Sequence, residues 1–222
     1  MKKMSERKYS IVMSCYDQAN ELESNLPSYL TQEYEPGYEV IVVDESSTDR
    51  TADVLKLFKN DYAHLYTTFL PKPSASLFRK KFAFNIGAKA ANNEWIIFTT
   101  ISNKLVASDI LRTINENLSD DAQLTLGYQT RKGIRLQPFA SIEEAEPLFL
   151  KGERRLTEVA ERKRFKYTLG RYDLIIIRKN DVVDMLRFFE QRIPLFRLLC
   201  IRWRIIFENL LRHSSTTLLV TA

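Results

Sequence analysis

Four short clusters carry side chains able to do chemistry: Ser14-Cys15-Tyr16-Asp17, Asp44-Glu45-Ser46, Lys80-Lys81 with Asn85, and Thr100-Ile101-Ser102-Asn103. Carboxylates accept hydrogen bonds from ribose hydroxyls or a base edge, a tyrosine ring offers a stacking surface, and lysines meet phosphate. A nucleotide ligand uses all three. Each residue also has a plainer use: Asp17 as a cap for the first helix, Asp44 as a strand terminator, Asn85 as a packed polar group. Their shared place just after strand signals is what marks a site. Other chemistries have little support. Cys15 has no histidine nearby in sequence to activate a thiol. Glu143, Glu144 and Glu146 read as a solvated helix face. Two histidines and two cysteines cannot build a His/Cys zinc cluster, so a metal would need oxygen ligands.

The elements that position these residues alternate in type. Residues 9–16 (YSIVMSCY) are β-rich, and 20–32 follow with Leu22, Leu26, Tyr29 and Leu30 at helical spacing. EVIVVD at 39–44 is a near-continuous apolar run ending in acid, the mark of a strand buried on both faces. Residues 46–49 (SSTD) offer N-caps for a helix over 51–59. Residues 63–70 read as a third strand, 76–92 as a helix and 95–100 (WIIFTT) as a fourth, buried strand. Ser108 is placed to cap a helix over 109–118, and 123–128 reads as a fifth strand. This β-α order predicts an α/β fold with an open, mostly parallel sheet and helices on both faces.

Beyond residue 129 the pattern loosens. Residues 129–135 read as a hairpin around Gly133, and 141–165 as a charged helical stretch. Residues 172–178 (YDLIIIR) form one more strand, with a helix from 180 to about 189. Residues 192–212 form an amphipathic segment: Leu195, Phe196, Leu199, Trp203, Ile206, Phe207 and Leu210 share one arc, with Arg197, Arg204, Glu208 and Arg212 opposite. Residues 1–150 carry 17 Lys/Arg against 20 Asp/Glu, whereas residues 151–222 carry 16 against 8. That basic tail suits packing on the sheet or an anionic membrane surface; nucleic acid fits least, because no recognised module accompanies the charge. The length of 222 residues fits one domain. A working division is 1–140 for ligand binding and 141–222 for a helical extension of the same domain. Only six glycines are present, and none forms G-x-G-x-x-G or a P-loop. No apolar run approaches the roughly 20 residues of a bilayer span. The two unpaired-looking cysteines favour a reducing compartment. The chain is expected in the cytoplasm, with peripheral attachment at the inner membrane face as the alternative to packing of the basic tail on the sheet.

Three segments carry a resemblance. They are SIVMSCYDQANELESNLPSYLTQEYEPGYEVIVVDESSTDRT, then KKFAFNIGAKAANNEWIIFTT, and more loosely LGRYDLIIIRKND. The chain resembles the inverting family 2 glycosyltransferases, which adopt the GT-A nucleotide-diphospho-sugar transferase fold and work in polysaccharide biosynthesis. The resemblance implies that Ser14, Tyr16 and Asp17 line a nucleoside pocket and that Asp44 and Glu45 contact base or ribose. It also brings Lys81 and Asn85 near the nucleotide and its phosphates. Ser46 stands where glycine is usual, a departure that would tighten the loop.

Two departures bear on activity. The family places an Asp-x-Asp motif after the fourth strand to hold Mn²⁺ or Mg²⁺; here Thr100 and Ser102 stand at those places, with Asn103 just beyond. Hard divalent cations need carboxylate charge, and two hydroxyls do not offset their desolvation, so no metal is expected at this motif. The family's catalytic base lies in an acidic pair well after the strand at 172–178, and there the run VVDMLRFFEQRIPLFRLLC holds only Asp184 and Glu190, both read as surface carboxylates. Two readings follow. One is a transferase that binds a nucleoside diphosphate sugar and inverts the anomeric centre, with Arg79, Lys80 or Lys81 steadying the leaving diphosphate. The other is an inactive pseudo-glycosyltransferase acting as a binding or regulatory subunit beside an active transferase.

Overall fold

Hydrophobic strands that are buried on both faces must lie side by side under helices, and here that rule sets the order of the whole sheet. The computed structural model describes residues 6–70, 79–131, 133–145 and 172–188. Its strands are β1 (Tyr9–Cys15), β2 (Tyr38–Asp44), β3 (Leu65–Phe69), β4 (Trp95–Thr100), β5 (Leu124–Thr130), β6 (Gly133–Phe139) and β7 (Leu174–Arg178). The helices are α1 (Ala19–Leu30), α2 (Thr51–Asp61), α3 (Arg79–Ala90), α4 (Ile110–Asn117) and α5 (Val182–Phe188). The strands form one sheet in the order β3-β2-β1-β4-β7-β5-β6.

β3, β2, β1 and β4 run parallel, whereas β7, β5 and β6 pair antiparallel. The chain steps from β1 outward to β2 and β3, then returns across them to place β4 on the other side of β1. Right-handed crossovers force that return onto the opposite face. Accordingly α1, α2 and α4 share a core with Ile11, Met13, Val42 and Ile97, while α3 and α5 share one with Val12, Val43, Ile96 and Phe98. The reversal of strand order between β1 and β4 is a topological switch point, and its crevice opens beyond the carboxyl ends of those strands.

Small residues seat α3. Ala83, Gly87 and Ala88 lie buried against the sheet, and a Cβ placed on Gly87 would stand 2.3 Å from Val12 Cγ1. The helix descends from the carboxyl edge to the amino edge, where Asn92 and Asn93 bind Glu39.

The strand expected over 123–128 does not extend the parallel run. β7 slots between β4 and β5, so residues 172–188 are built into the same sheet as residues 9–139. Ser108 does not cap α4: its hydroxyl donates to Glu33 Oε1 at 3.2 Å, and the helix starts with no side-chain cap. A partner from the neighbouring loop competes for the hydroxyl. Residues 142–145 are helical, but most of the charged stretch expected over 141–165, together with Glu190 and the 192–212 segment, lies outside the described residues.

Candidate functional site

The loops after β1 and β2 are locked together by their own polar side chains. Asp17 adopts a positive φ of 48° and turns its carboxylate away from α1. Its Oδ1 accepts the N–H groups of Thr48 at 2.6 Å and Asp49 at 3.3 Å. Asp49 returns the favour to the first loop: Oδ2 accepts the Ala19 N–H at 3.1 Å, and Oδ1 accepts the Thr51 N–H at 2.9 Å. One carboxylate thus satisfies orphan donors at the starts of both α1 and α2. Ser47 Oγ accepts the Asp17 N–H at 3.0 Å and donates to Asp44 Oδ1 at 2.6 Å, while the Ser47 N–H reaches the same oxygen at 2.9 Å. The plainer use of Asp17, as a cap for α1, is taken instead by Asp49 from the neighbouring loop. Hydrogen bonding from the Thr51 hydroxyl, outweighing a smaller opposing desolvation, holds the Asp49 carboxyl below its ordinary value.

Around this brace the sequence-predicted residues gather at the carboxyl edge. Ser14 is buried on β1 beside Thr100 of β4, its register partner. Tyr16 is exposed at 46%. Glu45 is buried and Asp44 half-buried. Ser46 has φ of 63°, the left-handed region that glycine tolerates best, and its hydroxyl donates to the Leu70 carbonyl. The glycine-to-serine departure is thus held by a side-chain bond. Lys81 and Asn85 sit half-buried on the half of α3 nearer the same edge. The side chains of Arg79 and Lys80 lie outside the described set.

Thiol chemistry finds no footing here. Burial, reinforced by the Asp44 and Glu45 charges, pushes the Cys15 thiol well above its ordinary range.

The segment after β4 is held from α1. Gln18 Nε2 donates to Ser102 Oγ at 3.1 Å, Asn25 Nδ2 to the Ile101 carbonyl at 2.8 Å, and the Tyr29 hydroxyl to the Asn103 carbonyl at 2.7 Å. Burial pushes the Tyr29 phenol up to about 12, so it stays a donor. The groups at the place of an Asp-x-Asp motif are therefore two hydroxyls and a carboxamide, of which Ser102 Oγ accepts from Gln18 and Asn103 Nδ2 donates to the Asp173 carbonyl, while Thr100 Oγ1 is buried without a hydrogen-bond partner among the described residues. This donor set does not fit a divalent cation, which needs carboxylate oxygens. Among the described residues no group of three His, Cys, Asp or Glu side chains could hold a metal. Asp184 lies near the start of α5, which begins at the amino edge where β7 ends opposite Trp95. The fold thus keeps Asp184 away from the switch-point crevice.

Sequence reading missed two parts of the site. Ser47, Thr48, Asp49 and Thr51 were expected only to start α2; the polar run SSTDRT was visible, but not its second use. Asp173 was passed over altogether. Because β7 runs antiparallel, the residue before it lies at the carboxyl edge, where its carbonyl accepts Thr99 Oγ1 at 3.0 Å and Asn103 Nδ2 at 3.3 Å.

The switch-point crevice, the braced strand-end loops and the strand order define a GT-A type of α/β domain. Residues 10–100 match the family described as Glycosyl transferase family 2. It is 27% identical over 141 residues to the poly(ribitol-phosphate) beta-glucosyltransferase of Bacillus spizizenii, covering 63% of this chain and 22% of that protein. The chain thus spans about a fifth of the length of this curated relative. Similar solved structures include the mannosyltransferase PcManGT of Pyrobaculum calidifontis in complex with GDP-Man and Mn²⁺, at 20% identity and a TM-score of 0.48 over 56% of this chain and 36% of that one. S. aureus TarS 1–349 in complex with UDP-GlcNAc matches at 21% identity and a TM-score of 0.44 over 53% of this chain and 33% of that one. No helix among the described residues is long and apolar enough to cross a membrane.

Proposed function

We propose that this chain is a nucleotide-sugar-binding domain of the family 2 glycosyltransferase type, whose ligand is a nucleoside diphosphate sugar held without a divalent cation. The observation that carries this reading is the reciprocal brace of Asp17, Asp44, Ser47 and Asp49. It holds the two loops flanking the crevice in one arrangement before any ligand arrives, with Tyr16 exposed and Ser14 and Glu45 buried at the same strand ends. Preorganised loops lower the ordering cost of binding. Lys81 and Asn85 supply the polar flank on α3 for the phosphates. Transfer of the sugar to an acceptor, with inversion, is the activity this donor site would serve.

A second reading rests on its own observation. The hydroxyls at Thr100 and Ser102 replace carboxylates, and Asp184 lies at the far edge, so a binding subunit without turnover, working beside an active transferase, is the alternative.

Calorimetry with UDP, GDP and their sugar conjugates tests the proposal, with EDTA in one series and Mn²⁺ in another. Binding of one nucleotide series with the same affinity in both buffers is expected. Asp17→Ala, which frees both loops, should weaken that binding by about tenfold through the lost carboxylate hydrogen bonds. Affinity that rises steeply with Mn²⁺ refutes the cation-free site, and no binding to any nucleotide refutes the reading as a whole.

A further inference from the structure

One side of α1 fastens the segment that follows β4 along its length. Asn25, Ser28, Tyr29 and, just past the helix end, Gln32 recur at helical spacing and so line up on that side. Asn25 holds the Ile101 carbonyl, and Tyr29 holds the Asn103 carbonyl. Ser28 Oγ accepts the Leu105 N–H at 3.0 Å. Gln32 donates to the Ala107 carbonyl at 2.8 Å and accepts the Leu111 N–H at 3.3 Å. Gln18, just before the helix, adds its bond to Ser102 Oγ, and from β5 Gln129 Oε1 accepts the Val106 N–H at 3.1 Å. Ile101 and Leu105 are buried in the core they share with Leu22, Leu26 and Tyr29, so apolar side chains pin the stretch on either side of Ser102.

Irregular backbone has no ladder to satisfy its N–H and C=O groups, and here side chains of a neighbouring helix take that place. The charge pattern explains why they can. Two carboxylates two residues apart repel each other, and a segment that carries them gains order when a cation neutralises the pair. Residues 100–103 are Thr, Ile, Ser and Asn, with no charge among them. Such a stretch closes on α1 through neutral hydrogen bonds, and its order needs no counter-ion.

We propose that Gln18, Asn25 and Tyr29 are positioning residues that fix residues 101–103 at the crevice, so that the order a bridging cation would impose is built into α1. The nucleotide-sugar reading above supplies the ligand that meets this arrangement. The fastening itself is a property of the ligand-free chain, so the two ideas fail separately.

The test is amide hydrogen exchange followed by NMR, on the wild type, Gln18→Ala, Asn25→Ala and Tyr29→Phe. Each protein is measured in EDTA, in Mn²⁺, and with UDP or GDP. The reporters are the Leu105 and Val106 amides, whose acceptors, Ser28 and Gln129, are untouched by any of the substitutions. In the wild type both should be protected in EDTA and should change by less than about twofold on adding Mn²⁺. Asn25→Ala and Tyr29→Phe should each speed their exchange about fivefold or more, the worth of one hydrogen bond, and Gln18→Ala, at an exposed bond, less. The amides of Ile11 and Val42 in the centre of the sheet should stay within about twofold. In the two faster variants the nucleotide that the wild type binds should restore protection, a ligand-linked response that a general loss of stability would not produce. Protection that appears in the wild type only after Mn²⁺ or nucleotide is added overturns the proposal. So does an equal rise at the loop and the central strands, or no rise at either reporter. A wild type that binds neither nucleotide refutes the nucleotide-sugar reading, and the ligand-free exchange still decides the fastening.

Discussion

Replacing Gly87 by alanine should destabilise the protein, although helix propensity by itself points the other way. Alanine in a helix interior gains about 1 kcal/mol over glycine. Against this, the new Cβ would meet Val12 Cγ1 at 2.3 Å, whereas ordinary contact begins at 3.4 Å. Val12 cannot give way: it is fully buried on β1, between β2 and β4, and its branched side chain has few rotamers. α3 must therefore lift, and overpacking of this kind costs roughly 1–3 kcal/mol or more. The net expectation is a loss of up to about 2 kcal/mol, read as a fall of up to roughly 8 °C in melting temperature for a chain of this size. Because α3 carries Lys81 and Asn85, nucleotide affinity should fall as well. Thermal and urea melts of Gly87→Ala, Val12→Ala and the double variant measure the clash directly. Val12→Ala vacates the space, so the two substitutions should couple favourably by about 1–3 kcal/mol. A stabilised Gly87→Ala, or no coupling, would refute the close seating of α3 on β1.

Two further tests probe the amino edge, far from the crevice. Burial pushes the Glu39 carboxyl up, but hydrogen bonds from Ser10, Asn92 and Asn93 outweigh it and leave the carboxyl below its ordinary 4.5. A lowered folded value means this stability is complete above pH 4.5 and is lost as pH falls through the folded value. Glu39→Gln should thus lower the urea midpoint at pH 7, and the gap to wild type should narrow towards pH 3, each pH being about one unit or more from the group's ordinary value. Arg7 donates to the Asn115 carbonyl and to Asp120, and lies 5.6 Å from the Trp95 ring centroid. Asp120 is 63% exposed, so Arg7→Met strands no buried charge and should cost only about 2 kcal/mol in chemical unfolding. Nucleotide affinity should be unchanged; a large loss of binding would contradict the separation of the two edges.

How much was legible beforehand differs between neighbouring residues. The run EVIVVD announced a strand buried on both faces, and β2 is that strand, because continuous apolar character leaves no solvent face. Ser46 was marked as standing in a glycine place, and its φ of 63° gives the reason. Gly87 belonged to the resembling segment KKFAFNIGAKAANNEWIIFTT, but only the sheet beneath it shows why a side chain is excluded. Asp49 was expected as a local cap, and its second bond to Ala19 comes from a loop 30 residues away. Hydrogen bonds of that range leave no periodic trace in a sequence. Asp184 was read as a surface carboxylate because it sits in no acidic pair; its place at the amino edge follows instead from chain direction.

Local patterning therefore determined the strands, the helices and the loops that end in Asp17 and Asp44, since burial period and turn chemistry are written in neighbouring residues. Strand direction and order were decided only by the tertiary structure. A run such as LIIIR reads the same whether it lies parallel or antiparallel, and hydrophobic period is blind to which neighbour a strand chooses. That choice, made by packing β7 between β4 and β5, is what carries Asp173 to the carboxyl edge, where its carbonyl meets Thr99 and Asn103.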